Sequence, residues 1–233
     1  LYSMGLSLEV GIYASLGDDA EGREYYDGQF AAVNAALRAA GLPEHHEPRT
    51  LPPSKLWSCD LLGYSGLHYL RRIAAHLDSS GTLPPPGGPD AHTDPVSERF
   101  YQLSAQSSGF FARLFRHGPA FGRTYDHLLM HSDVEGYYVP IPFGPVIVAD
   151  DRTIVGGMVG SSHRLMEECQ RLAEVLGMPS GLDAEGDELW DAARQQGMGR
   201  ERWQRYGVES FTCARLLRAA QRSIAARAAI VFC

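Results

Sequence analysis

Cysteine is scarce in this sequence and is not arranged for chemistry. The chain of 233 residues has four cysteines, which lie far apart and form no C-x-x-C pair: Cys59, Cys169, Cys213 and Cys233. This spacing excludes a zinc ribbon, a thioredoxin-like redox pair and the disulfide framework of a small secreted domain. Scattered thiols in a chain of this size are typical of reduced core residues, so the sequence predicts a cytoplasmic location.

Long apolar runs are absent as well. No segment approaches the roughly 18 consecutive apolar residues of a membrane-spanning helix. The N-terminal residues also lack the basic and then apolar pattern of a secretory leader. We therefore expect no membrane partner.

Clusters of basic residues are missing, and acidic residues are in excess. There are 28 Asp and Glu against 21 Lys and Arg, which gives a formal net charge of −7, and Arg71 and Arg72 are the one pair of adjacent arginines. A nucleic-acid-binding surface needs clustered Lys and Arg, so we expect no nucleic-acid partner. The acidic charge suits a basic protein partner, because complementary fields speed association. The sequence sets no oligomeric state.

The apolar pattern alternates between strand and helix periods along the chain. Hydrophobic residues at 44% and charged residues at 21% are the proportions of a globular domain. We predict an α+β fold with a small mixed or antiparallel sheet packed with about five helices. The domain covers residues 4–233 and has a Pro/Gly-rich loop at 79–90. Helices are predicted over 18–41, 67–77, 95–117, 161–176, 185–196 and 213–224.

A strand, a turn and a second strand are predicted over residues 125–148. The turn begins at Asp133 and ends at Gly136, because aspartate accepts backbone hydrogen bonds and glycine tolerates a positive φ angle. Three prolines in the second strand cannot donate to a sheet ladder. That strand should therefore lie at a sheet edge or be interrupted.

His127, His131 and Asp133 are the first candidates for chemistry. Strand alternation would place all three side chains on one face, and a helix would also align the two histidines. Two imidazoles and a carboxylate can bind zinc or a non-haem iron, and His131 with Asp133 can act as a general base with its orienting acid. The same residues also suit an ordinary structural turn. No cofactor motif is present, and none is expected.

A second candidate is the turn from Gly160 to Ser162, which enters a helix. Amide groups at such a turn and the hydroxyl groups of Ser161 and Ser162 can bind an anion, although the lysine of a P-loop is missing. Arg72 lies on a basic helix face that could meet a carboxylate or a phosphate. Ser65 follows a predicted strand as in a nucleophile elbow, but the second glycine of that motif is absent.

The segment HSDVEGYYVP, residues 131–140, carries a resemblance to known proteins. It resembles a family of uncharacterised bacterial proteins of similar length that share H-S-D-x-x-G-[YF]-Y-V-P, and GGMVGSSHRL, GYSGLHYLRR and AIVF extend the likeness along the chain. Its HSDVEGY part is also similar to segments in immunity proteins of bacterial toxin systems. That similarity implies a protein that neutralises a partner.

The leading hypothesis is therefore an intracellular bacterial binding protein of immunity type. It would cover the partner with an acidic and aromatic patch around the predicted hairpin at 131–143. Tyr137, Tyr138 and Phe143 are the aromatic residues expected to contact the partner.

The alternative hypothesis is a small-molecule or metal-dependent enzyme. It would use His131 and Asp133 for proton transfer or metal binding, and it would hold an anionic group at the Gly160–Ser162 turn. No catalytic motif in the sequence is complete, so the sequence leaves both hypotheses open.

Overall fold

The computed structural model describes residues 6–88, 91, 93–99, 124–132, 135–149 and 153–233. Two predictions lie wholly or partly outside this range. Asp133 is not among the described residues, and of the helix predicted over 95–117 only residues 95–99 are described, which are helical.

Six short strands and helices of very different lengths make up the described chain. The strands are β1 (Ser7–Val10), β2 (Trp57–Asp60), β3 (Tyr137–Val139), β4 (Ile147–Val148), β5 (Met158–Ser161) and β6 (Ile230–Phe232). The helices are α1 (Ile12–Ser15), α2 (Ala20–Ala39), α3 (Gly63–Ser80), α4 (Asp126–Leu129), α5 (Ser162–Leu176), α6 (Asp187–Arg194), α7 (Arg202–Arg205) and α8 (Gly207–Ala226), with a 3₁₀ turn at Pro53–Lys55.

The strands form one mixed sheet in the order β2-β1-β6-β3-β5-β4. Strands β3 and β5 are parallel, and the other neighbouring pairs are antiparallel. The predicted α+β fold with a mixed sheet and about five longer helices is confirmed. The assignment of residues 4–233 to a single domain stays a prediction.

Helices cover both faces of the sheet. On one face, side chains of α2 such as Phe30 and Val33 pack against Tyr137 of β3. On the other face, the buried stripes of α3, α5 and α8 pack against Tyr138 and Ile230. Within the described ranges, no helix is both long enough and apolar enough to cross a membrane.

Side-chain caps mark the starts of two of the longer helices, close to their predicted starts at 18 and 161. Helix α2 begins after Asp19, whose side chain accepts a hydrogen bond from the Gly22 amide at 3.0 Å. Helix α5 begins after Ser161, whose hydroxyl oxygen accepts from the Arg164 amide at 3.4 Å. This start agrees with the helix predicted over 161–176.

The strand predicted over 125–133 is wrong, because the described part of this segment contains the short helix α4. The described residues of 131–143 therefore form no hairpin, and β3 pairs with β6 and β5 instead. The second predicted strand is interrupted, as its prolines required. Strand β3 ends before Pro140, and β4 begins after Pro145.

Candidate functional site

One stretch of the chain exposes acidic side chains and contains no basic ones. Residues 172–193 contain six Asp or Glu and no Lys or Arg. All six side chains are exposed. Five of them lie in and just before α6 and are called the acidic surface: Asp183, Glu185, Asp187, Glu188 and Asp191. The sequence predicted a short acidic helix here but assigned it no role.

Helix α6 separates its charges from its apolar residues. Leu189, Ala192 and Ala193 are buried. Asp187, Glu188 and Asp191 lie within about 100° of one another around the helix axis, on the opposite side. The helix therefore presents three carboxylates together to solvent.

The spacing of these carboxylates is similar to that of phosphates in DNA. Four residues separate Asp187 from Asp191, which corresponds to about 6 Å along the helix axis. With Glu188 between them, the mean spacing is about 3 Å per charge, against about 3.4 Å per phosphate along one strand of DNA. Along the axis, the carboxylates of this face are thus spaced much as phosphates are on one DNA strand, with one positive charge, Arg194, paired to Asp191.

Three contacts hold the acidic surface in place. Gly207 of α8 lies so close to α6 that a Cβ atom there would be 1.9 Å from the Ala192 carbonyl oxygen. The Trp57 indole N–H of β2 donates to Glu185 Oε1 at 2.7 Å. The Glu185 amide donates to Asp183 Oδ1 at 3.1 Å. The fold therefore holds the backbone of α6 and the segment before it in place.

A cleft of about 380 Å³ adjoins the acidic surface. It lies between the start of α3, the side of α6 and the start of α8, and is lined by Leu62, Ser65, Tyr69, Trp190, Ala193, Arg194 and Val208. Arg194 forms an ion pair with Asp191, with 2.5 Å between Nη2 and Oδ1. The cleft and the acidic surface therefore share an edge.

The predicted histidine site is buried and is used inside the chain. His127 Nδ1 accepts from the Ser161 amide at 2.9 Å, so Nε2 carries the proton and donates to the Gly144 carbonyl oxygen at 2.5 Å. His131 stacks on Tyr138 with 4.0 Å between ring centroids. Burial lowers the pKa of His127 to about 4 and that of His131 to about 3, so both rings are neutral at pH 7.

Metal binding by these histidines stays a prediction, as does catalysis by His131 with Asp133. In the part of the chain that the structure describes, no three His, Cys, Asp or Glu side chains are grouped so as to hold a metal ion. The carboxylate that the hypothesis needs, Asp133, lies outside the described residues.

Two buried ionisable residues from other helices hold α4. Glu168 of α5 accepts from the amides of His127 and Leu128 at 2.9 and 2.7 Å. At the other end, Arg71 of α3 donates to the carbonyl oxygens of Leu128 and His131, both at 2.7 Å. Burial raises the pKa of Glu168 to about 8, although its two backbone hydrogen bonds oppose the shift. This clamp explains why a segment with strand-like residues is helical.

The donors of the predicted anion turn are engaged within the chain. Ser161 Oγ donates to the Ile141 carbonyl oxygen at 2.6 Å, and Ser162 Oγ shares a hydrogen bond with Ser223 Oγ at 2.7 Å. A Cβ atom at Gly160 would lie 2.3 Å from the Tyr138 ring. Anion binding at Gly160–Ser162 stays a prediction.

The remaining predicted binding residues do not meet on one surface patch. Tyr137 and Tyr138 are 2% and 1% exposed, so a partner cannot reach them in this arrangement. Phe143 is half-buried against the His127 ring. Arg72 donates to Asp94 Oδ2 at 2.7 Å. The role of these residues in binding stays a prediction.

An acidic face fixed beside an apolar cleft is suited to binding another protein. A sequence profile of the family described as "Putative DNA-mimic protein" matches residues 4–232. The match spans nearly the whole chain, and the protein belongs to this family. Membership indicates a protein-binding module that occludes a surface of its partner. No curated protein and no solved structure matches the chain.

Family membership corrects the predicted partners. A basic protein partner and no nucleic acid were expected, whereas a DNA-mimic family implies partners that are DNA-binding proteins. The prediction used the net charge of −7 only as an argument against contact with phosphates. An acidic surface also has the same charge sign as DNA, and such a surface can take the place of DNA on a DNA-binding protein.

Proposed function

We propose that this protein occupies the DNA-binding surface of a partner protein and so excludes DNA from it. The acidic surface takes the place of the phosphates. The observation that carries the proposal is the run of six acidic residues without a basic one at 172–193, three of which share the exposed face of α6. Family membership supports the same assignment.

The expected strength of the charge contribution follows from the exposure of the carboxylates. An exposed ion pair contributes about 0.2–1 kcal/mol, so three pairs made by α6 correspond to about 3-fold to 100-fold in affinity. Because these pairs are exposed, binding should weaken steeply as salt concentration rises.

The finer form of the proposal is neutralisation of immunity type, in which the occluded protein is a toxin that acts on DNA. The likeness of HSDVEGY, residues 131–137, to segments of immunity proteins supports it. In this form the protein would act stoichiometrically, and one bound copy would abolish the activity of one toxin molecule.

The test compares two variants that lose the same three charges from different faces of the molecule. The acidic-face variant carries Asp187→Asn, Glu188→Gln and Asp191→Asn. The control variant carries Asp18→Asn, Glu21→Gln and Glu24→Gln, which are exposed positions before and in α2. Helix α2 covers the opposite face of the sheet from α8, on which α6 packs.

Immobilised wild type and both variants are exposed to lysate of the source organism, and retained proteins are eluted with duplex DNA. Each eluted protein is then bound to a short fluorescent duplex and titrated with the free wild type. The proposal requires that wild type and the control variant displace the duplex and that the acidic-face variant does so about 3-fold to 100-fold less well. A retained protein that binds duplex and wild type at the same time would contradict the proposal.

A further inference from the structure

The cleft beside the acidic surface combines apolar walls with a charged rim. Leu62, Trp190 and Val208 supply apolar side chains, and Ser65 is an exposed polar group at the opening. Asp191 lies at the rim, because its carboxylate forms an ion pair with Arg194, which lines the cleft. Such a site suits a long side chain with an apolar stem and a positive end.

The aromatic residues next to the cleft already bind a guanidinium group from inside the protein. Arg215 Cζ lies 4.3 Å from the centre of the Phe211 ring and 5.2 Å from that of Trp190. The two rings contact each other edge to face at 4.5 Å. Trp190 is only half-buried, so part of its indole remains available at the cleft.

Arg194 binds Asp191 without being held firmly. Its side chain is 67% exposed and that of Asp191 is 59% exposed, and an ion pair this exposed contributes about 0–1 kcal/mol. A second guanidinium group could therefore replace Arg194 on the Asp191 carboxylate at small cost.

We propose that the cleft takes an arginine side chain from the DNA-binding partner, with its stem on the apolar walls, its guanidinium beside Trp190, and Asp191 released from Arg194 to bind it. This inference rests on the proposed function, because it supposes that a DNA-binding surface docks on the acidic surface. Arginine is favoured over lysine because its planar group both stacks on an aromatic ring and pairs with a carboxylate through two bonds.

The first test uses hexaarginine and hexalysine peptides of equal charge as probes. Ser65→Phe fills the cleft from an exposed position without removing a buried contact, and Ala31→Phe adds the same ring at an exposed site on α2. Binding is measured by calorimetry at low salt. Wild type should prefer hexaarginine by about 2-fold to 5-fold, as expected for an exposed cation–π contact. Ser65→Phe should abolish this preference, and Ala31→Phe should retain it.

The second test removes the internal competitor. Arg194→Gln frees Asp191, and Arg164→Gln removes an arginine that makes the same i to i+3 ion pair on α5, with Glu167. Both variants gain one unit of negative charge. Only Arg194→Gln should raise hexaarginine affinity more than hexalysine affinity.

The outcomes separate the cleft from the acidic surface as a whole. If Ser65→Phe keeps the arginine preference, or if both arginine variants behave alike, the cleft proposal is overturned. The acidic surface would still stand if the acidic-face variant loses both peptides. If the acidic-face variant binds both peptides as wild type does, the proposed function itself fails on this face. Circular dichroism of every variant checks that the fold is intact.

Discussion

The clamp on α4 yields a stability prediction that depends on pH. Glu168 accepts two backbone N–H groups, one on each carboxyl oxygen. In Glu168→Gln, the amide oxygen can accept one of them, but the amide nitrogen has no lone pair for the other. One buried N–H therefore loses its acceptor, whichever protonation state Glu168 has in the wild type.

The magnitude follows from the cost of that donor and from the raised pKa. A buried donor without a partner costs about 1–3 kcal/mol, so Glu168→Gln should lower the free energy of unfolding by about 2 kcal/mol at pH 5. Burial raises the pKa of Glu168 from 4.5 to about 8, so the folded state holds a proton that the unfolded state releases. This stability is fully present below pH 4.5 and is lost as pH rises through 8, by about 1.4 kcal/mol per pH unit within that window.

The assay is urea unfolding followed by circular dichroism at pH 5, 7 and 9. The wild type should lose its advantage over Glu168→Gln by about pH 6.5 and be the less stable of the two at pH 9, whereas the variant should lack this pH-dependent loss. Glu167→Gln is the matched control: this neighbouring side chain is 47% exposed and pairs with Arg164, so its loss should cost less than about 1 kcal/mol. If the wild-type advantage instead grows with pH, Glu168 is ionised in the folded protein and the reasoning is refuted.

Three further predictions concern the core and the acidic surface. Burial lowers the pKa of His131 from 6.5 to about 3, so the protein should lose stability as pH falls below 6.5, by about 3 kcal/mol at pH 4. Urea unfolding should show this loss in the wild type. An equal loss in His131→Phe would contradict the assignment of the loss to His131. Gly207→Ala places a Cβ atom 1.9 Å from an α6 carbonyl oxygen and should cost more than about 3 kcal/mol, whereas Gly28→Ala, with open space around it, should stabilise α2 by up to about 1 kcal/mol. Trp57→Phe removes a hydrogen bond to the acidic surface and should weaken hexaarginine binding by less than about 10-fold; because Trp57 is buried in the core, the loss of the larger ring should also lower stability by about 1–2 kcal/mol. Unchanged binding by the folded variant would show that this bond does not position the surface.

The elements that the sequence predicted correctly are those whose signals are local. Helix α2 begins at Ala20, two residues after its predicted start, and its apolar period continues through Phe30 and Leu37; helix α5 begins directly after Ser161, the first residue of its predicted range. Each of these signals lies within a few positions of the element it specifies.

Helix α4 was missed because its determinants are distant in the sequence. The carboxylate that caps its first amides comes from Glu168, 41 residues beyond His127, and the guanidinium at its other end comes from Arg71, 57 residues before Leu128. These contacts override the strand propensity of residues 125–133. No pattern within 125–133 could have shown them.

The tyrosines of β3 were expected at a surface because alternation along a strand usually leaves one face in solvent. Strand β3 instead lies between β6 and β5, and helices cover both faces of the sheet. Tyr137 and Tyr138 therefore point to opposite faces and are both buried. Tyr137 and Tyr138 are buried because helices pack on both faces of the sheet. The sequence of β3 alone does not show where those helices lie.

The position of the acidic residues can be read from the sequence, but only their net charge was used to predict a partner. Residues 172–193 hold six of the acidic residues and none of the basic ones, which leaves 22 acidic and 21 basic residues in the rest of the chain. Almost all of the net charge of −7 thus belongs to one segment, and the remainder is nearly balanced. A uniform excess would only repel nucleic acid and aid solubility. An excess confined to one segment has a position, and three of its six carboxylates share the exposed face of α6. Under the proposed function, that face takes the place of phosphates on the partner.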